Sequence, residues 1–439
     1  MRWLSKGLCL CLSMLFITSC AQDKKLPVGE RLSILNDFEQ KLSVSQNKVA
    51  TIPAAYVNNS WSQAGVNSRH IIGNLKAGFE LKEQWSENFG KGINKRDILL
   101  PSPVVSNNRI FVMDSKGVVS AFSLIDGTYL WKNTLSAKSN TFKDAKSRAS
   151  GLAIDGGTLF ATTGFGGVFA MNAETGQPKW RISLESPIRI APAITDRMLL
   201  IQTVDNSLYA LDKTTGKEIW KFNVAHEDTV IAGGAVPAYD AEDNVVVAGF
   251  SNGEIVVLNA TVGTPLWTSM LVSNEQVSST TEINTIGSYP IVQEGIIYAI
   301  SNSNSLISLD MRTGDKLWEK EIGSMQNMLL AGDYLFAISN KNVLYAVEKY
   351  SGDIVWHIDV KKYLDVEDYD EGEIYASSPL MLNGQILLAF SNGKVLKFDA
   401  YRGNLKAKTD LGIDISNGLI AVNEKVIAVT DSADVIVFK

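Results

Sequence analysis

Cysteine is nearly missing from this 439-residue chain. Its three cysteines, Cys9, Cys11 and Cys20, all fall within the first twenty residues. Residues 21–439 therefore have no disulfide framework, no thiolate metal site and no thiol nucleophile. Histidine is scarce too. His70, His226 and His357 stand in three unrelated contexts, and no pair has zinc-ligand spacing. A Gly-Lys-Ser/Thr phosphate loop and a Gly-x-Ser-x-Gly elbow are both missing. So is a basic balance. The net charge is −6, which argues against nucleic-acid binding. The N-terminal apolar run, "GLCLCLSMLFI", is too short to span a bilayer, which takes about 20 residues.

What the N-terminus does contain is a secretory signal: Arg2 and Lys6, the apolar run, then "ITSC" (17–20). An aliphatic residue, two small ones and Cys resemble the bacterial lipoprotein signal, in which the Cys is acylated and becomes the new N-terminus. The expected organisation is a signal peptide over 1–19, a lipid-anchored tether over 20–60 and a propeller over 61–439. Two or more acyl chains on Cys20 would hold the protein to a membrane without a transmembrane helix. Ala21, where Asp would resemble an inner-membrane retention signal, points to the outer membrane. Loss of Arg2 and Lys6 takes the net charge from −6 to −8.

The body of the chain is a repeat. "SLYALDKTTGKEIWK" (207–221) recurs in altered form, each copy with Gly followed four residues later by Trp. The glycines are 127, 176, 216, 263, 314, 352 and 403. The tryptophans are 131, 180, 220, 267, 318 and 356, and Ala407 takes the last place. A spacing of about 40–50 residues signals a propeller or solenoid. Each unit reads as four short strands separated by turn residues, as in "SPVVS", "RIFVM", "VVSAF" and "TYLWK" over 102–132. Gly supplies a positive φ, and Trp a ring to fill the gap between sheets, with an indole N–H that needs a partner.

The ends settle the count. "VIVF" (435–438) is a third strand with no fourth after it. "FELKEQWSENF" (79–89) is a Trp-bearing fourth strand with no first three before it. Joined, they complete an eighth blade. The expected fold is all-β: an eight-bladed β-propeller of four-stranded blades, closed by an N-terminal strand pairing with the C-terminal blade.

Three segments stand apart. "ERLSILNDFEQKL" (30–42) places Leu32, Leu35, Phe38 and Leu42 on one helical face, as a tether or a docking segment. "DVEDYDEGE" (365–373) is acidic but misses the EF-hand register, and "AKSNTFKDAKSR" (137–148) is basic. Both read as exposed loops. Nothing here calls for a metal or cofactor.

"ALDKTTGKEIW" (210–220) and "SLDMRTGDKLW" (308–318) resemble the pyrroloquinoline-quinone-type propeller repeat. That family includes quinoprotein alcohol dehydrogenases, which are enzymes, and the BamB outer-membrane assembly factors, which are not. The lipoprotein signal, the length and the lack of an adjacent cysteine pair favour the BamB branch. "SWSQAGVNSRH" (60–70) and "SSTTEINTIGSYPIV" (278–292) resemble stretches of its alphaproteobacterial members. The resemblance implies a non-catalytic scaffold that binds the barrel-assembly subunit BamA, with unfolded outer-membrane proteins as further candidate partners. The alternatives are a lipoprotein propeller serving another envelope complex, or a quinoprotein dehydrogenase. The family's contact uses Leu, Arg and Asp side chains on loops before the blades here ending at Trp267 and Trp318. Ile231 keeps an apolar residue there. Thr229 replaces a Leu, Ala232 an Arg, and Thr285 and Gly287 the Asp residues. The charged part of that pattern is absent, and the expected contact is a more apolar one near "TVIAGGAV" (229–236), with Val230, Ile231 and Val236 as its tip.

Overall fold

A computed structural model describes residues 49–78, 80–94, 100–135, 149–225, 234–271, 285–364, 374–415 and 417–439. These residues form eight antiparallel sheets of four strands each. The first blade is β2 (Val104–Ser106), β3 (Arg109–Met113), β4 (Val118–Ser123) and β5 (Tyr129–Thr134). Six more follow in order: β6–β9 over 149–183, β10–β13 over 193–223, β14–β17 over 238–270, β18–β21 over 291–320, β22–β25 over 329–359 and β26–β29 over 380–410. The eighth is shared between the chain ends. β30 (Ile420–Val422), β31 (Lys425–Val429) and β32 (Asp434–Phe438) are completed by β1 (Glu83–Asn88), with Trp85 opposite Val437.

The repeat signature is the joint between blades. In the turn after the third strand, the Asp212 carboxylate accepts from the backbone N–H of Thr214 and Thr215, at 3.0 and 2.8 Å. Gly216 follows at φ +72°. A Cβ there would lie 2.7 Å from the Trp180 ring of the preceding blade. Each Trp thus lies on the Gly of the next blade, and its indole N–H donates to a carbonyl beside that Gly. Trp220 on Gly263 donates to Ala260 O at 2.8 Å, and Trp318 on Gly352 donates to Lys349 O at 2.8 Å. The same arrangement holds for Trp85 on Gly127, Trp131 on Gly176, Trp180 on Gly216, Trp267 on Gly314 and Trp356 on Gly403. The core is the set of such interfaces. One cluster joins Leu200, Leu208 and Trp220 of the third blade to Val246, Val256 and Leu258 of the fourth.

The first strands ring the central channel. Their inner edges have no neighbouring strand, and buried backbone groups must be paired. Residues 58–78 supply the partners, visiting the blades in order. Trp61 exchanges two hydrogen bonds with Val105 of the first blade, and Ser62 O accepts from Ile154 N of the second. Gln63 Oε1 accepts from Ile194 N of the third. Ser68 O and Arg69 O accept from Tyr239 N and Val292 N of the fourth and fifth. Gly73 N and Leu75 N donate to Leu330 O and Met381 O, and Gly78 N donates to Glu424 O in the eighth blade. The first strands of the first seven blades are held at the same place along their length; in the eighth the bond reaches Glu424, in the turn between β30 and β31.

Candidate binding site

The segment over 58–78 leaves a cavity of about 160 Å³ at the channel. Trp61, Ala64, Gly65, His70 and Ile72 line it from that segment. Ser102, Tyr289, Gln326, Asn327, Ser378 and Asn417 line it from the starts of the first, fifth, sixth, seventh and eighth blades, with apolar residues between them. The wall is aromatic, amide and hydroxyl, with no Lys, Arg, Asp or Glu.

His70 is the one imidazole on that wall. It is 3% exposed and its backbone sits at φ +59°. Its Nδ1 lies 2.8 Å from the Pro290 carbonyl oxygen. A carbonyl only accepts, so Nδ1 carries the proton and donates. Nε2 is buried with no partner. Burial pushes the imidazole pKa down to about 4, against an opposing effect of the Pro290 hydrogen bond, and the ring is neutral near pH 7. Its ring centroid is 5.2 Å from that of Tyr289, whose own pKa is raised by burial. The stretch 60–70 and the described part of 278–292, which resemble one family in sequence, thus meet here.

A quinone cofactor of the dehydrogenase type carries three carboxylates and needs cations to hold them. This wall supplies none, and Trp61, Ala64, Gly65, His70 and Ile72 narrow the channel to a cavity of about 160 Å³. These residues do not fit that group. Among the described residues no group of three or more His, Cys, Asp or Glu could hold a metal ion. His357 lies on β25, stacked on Tyr345 at 5.8 Å, far in topology from His70.

The loop residues singled out in the sequence fare differently. Cys20, the amphipathic stretch 30–42, the charged stretches 137–148 and 365–373, and Thr229, Val230, Ile231 and Ala232 all lie outside the described residues. Thr285 is fully buried and its hydroxyl donates to Ser251 O at 3.1 Å. Gly287 faces Met325, whose Cε would lie 2.4 Å from an added Cβ. Thr285 and Gly287 therefore shape the entry to the fifth blade through packing. Val236, expected with Val230 and Ile231 at a loop tip, is fully buried in the core between the third and fourth blades. The strand that follows it needs an apolar residue to seal the blade interface, and burial overrides the loop-like pattern.

Sequence reasoning missed the channel segment. Its signals were Trp61, which lies outside the Gly-x-x-x-Trp spacing, and the family resemblance of 60–70, and neither marks a strand partner. A backbone that pairs through its own N–H and C=O groups leaves no residue-type mark.

Among the described residues no helix is long and apolar enough to cross a membrane. In structure, the BamB of Moraxella catarrhalis superimposes with a TM-score of 0.64 at 20% identity, covering 82% of this chain and 97% of that one. The quinohemoprotein alcohol dehydrogenase of Comamonas testosteroni gives 0.67 at 14% identity, covering 88% and 81%. At these identities both likenesses concern the fold alone. In sequence, outer membrane protein assembly factor BamB of Moranella endobia is 27% identical over 255 residues, and that of Yersinia pestis 28% over 257. Each alignment covers 57% of this chain and less than two thirds of the relative, 65% and 64% respectively. The family profile described as "Outer membrane protein assembly factor BamB" matches residues 115–358, more than half of the chain. With the repeat, the eight blades and the shared eighth sheet in place, the chain belongs to the outer membrane protein assembly factor BamB family.

Proposed function

We propose that this protein is a non-catalytic scaffold lipoprotein of the outer-membrane β-barrel assembly complex. Residues 1–19 are its signal peptide, the acylated Cys20 anchors it to the periplasmic face of the outer membrane, and residues 20–60 begin as a tether. Its partner is a BamA-type barrel-assembly subunit, and it aids the folding and insertion of outer-membrane proteins. The observation that carries this reading is the family match over residues 115–358. The cavity wall without Lys, Arg, Asp or Glu, and the chain's own N-terminal segment laid across the first strands, support a binding role over a catalytic one.

The loop over 225–237 is the proposed contact for that subunit, with Ile231 as its apolar anchor. Ile231→Asp places a charge in a desolvated contact and is expected to cost about 2–4 kcal/mol of binding. Capture of the barrel subunit from detergent-solubilised envelopes, alongside a thermal melt, tests it. Lost capture with an unchanged melt supports the loop; unchanged capture removes it. Cys20→Ala in the same preparation should no longer incorporate labelled fatty acid. Equal labelling of wild type and variant overturns the anchor.

A further inference from the structure

The outer strand of every blade leaves a row of backbone N–H and C=O groups unpaired at the rim. Such an edge is a template for another extended chain unless something blocks it, and charged side chains are a common block. Seven of the eight outer strands carry that block. β5 has Lys132, β9 (Pro178–Ser183) has Lys179 and Arg181, and β13 (Glu218–Asn223) has Glu218 and Lys221. β21 (Lys316–Lys320), β25 (Ile354–Asp359), β29 (Leu405–Asp410) and β1 each hold at least one acid or base. β17 (Pro265–Met270) reads Pro-Leu-Trp-Thr-Ser-Met and has none. The position after the Trp shows the contrast. It is Lys132, Arg181, Lys221 and Glu319 in four other blades and Thr268 here. Trp267 turns toward the fifth blade, onto Gly314, so alternation puts Thr268 and Met270 on the other face, and Leu266, the extra residue of a bulge between Pro265 and Trp267, is exposed as well. Leu266 is 55% exposed and Met270 49%. Val262, in the turn that leads into β17, is exposed as well.

We propose that the β17 edge is a docking strand for an extended segment of a second polypeptide, uncharged and alternating apolar with polar residues, which adds to the fourth blade as a fifth strand. The edge itself specifies this occupant. A row of backbone donors and acceptors is matched only by another extended backbone, and Leu266 and Met270, on either side of Thr268, give apolar contact at two positions along the incoming strand. A charged segment would meet no counter-charge on β17. Strands of transmembrane β-barrels have this alternation. Naming such a barrel strand as the occupant rests on the function proposed above; the edge does not.

The test uses the full-length protein in detergent and a labelled eight-residue peptide alternating Val and Thr, followed by fluorescence anisotropy. Thr268→Lys installs the residue that the first, third and seventh blades hold at this place (Lys132, Lys221, Lys408), so the fold stands. It is expected to weaken the peptide about tenfold or more, as a charge placed in a desolvated contact does. Ile219→Lys, on the outer strand of the third blade, is expected to leave binding unchanged. N-methylation of alternate peptide amides should abolish binding, and hydrogen exchange of residues 265–270 should slow when the unmodified peptide is bound. Equal binding by wild type and Thr268→Lys, or undiminished binding of the N-methylated peptide, overturns the proposal. So does a dimer in sedimentation that Thr268→Lys dissolves, because the occupant is then a second copy of this chain. Capture of the barrel subunit is read separately through Ile231→Asp, so either result can fail alone.

Discussion

At the scale of single residues, His70 shows how much the channel constrains one side chain. Its backbone lies in the left-handed region, where Asn and His are tolerated and bulky residues are strained. Its ring is packed against Gly65, where an added Cβ would lie 2.5 Å from Cδ2. The ring gives one hydrogen bond, from Nδ1 to Pro290 O, and Nε2 has no protein group to receive a second proton. This sets a pH dependence with a definite sign. The folded pKa of about 4 lies below the ordinary 6.5 of an exposed imidazole. Between those values the unfolded chain binds a proton that the folded chain does not. The contribution is therefore complete above pH 6.5 and is lost as the pH falls toward 4, by about 3 kcal/mol in total. His70→Asn keeps a side chain suited to the positive φ and able to donate to Pro290, and has nothing to titrate. Urea unfolding at pH 8 and pH 5 is expected to show a stability gap in wild type that is smaller in His70→Asn. An identical gap in both would place the titration elsewhere.

At the scale of the element, the unit is the Trp of one blade seated on the Gly turn of the next, and the one exception supports this. Six of the blades that carry Trp present a small or medium residue directly opposite it: Ala121, Ala170, Ala210, Val257, Ser308 and Ala346. In the seventh blade the sizes are exchanged, with Lys397 opposite Ala407. The reason lies next door. In the eighth blade the third and fourth strands come from opposite ends of the chain, so no hairpin turn and no Gly are there to receive a Trp. Lys397 takes the space instead, buried, with its pKa lowered by that burial and favoured back up by Glu80. The importance of the seat can be measured by comparing two glycines at the same backbone angle. Gly263 has φ +71° and would place a Cβ 2.5 Å from the Trp220 ring. Gly295 has φ +73° with nothing within 4 Å. Gly295→Ala is expected to cost only the left-handed strain, about 1–2 kcal/mol. Gly263→Ala must also displace a ring fixed by its bond to Ala260, and is expected to cost about 2–4 kcal/mol. Equal shifts in urea midpoint would mean that the seat carries no packing energy.

At the scale of the whole molecule, two closures hold the ring, and they differ in how visible they were in the sequence. The β1–β32 latch was legible, because a Trp-bearing fourth strand at residue 85 and an unfinished unit at 438 have complementary deficits. The segment over 58–78 was not. It has no period, and seven of the eight blades are met through its backbone. Nor could the pattern show that Thr285 and Val236 are buried, since both sit at the ends of loops where polar and apolar residues mix. The two closures should also fail differently. A chain starting at residue 80 loses the channel segment, but water can then enter and pair the exposed first-strand edges. Each such exchange costs about 0.5–1.5 kcal/mol, so the melting temperature falls while the ring still closes. A chain starting at residue 89 also loses Trp85 from Gly127 and uncovers the β32 edge, where Val435 and Val437 are fully buried in the intact ring. An uncovered apolar edge strand pairs with other chains, so this second truncation is expected to aggregate or to melt without a single cooperative transition. Size-exclusion chromatography and thermal melts of the two truncations distinguish them. If both elute as monomers and melt alike, the latch is not what holds the eighth blade.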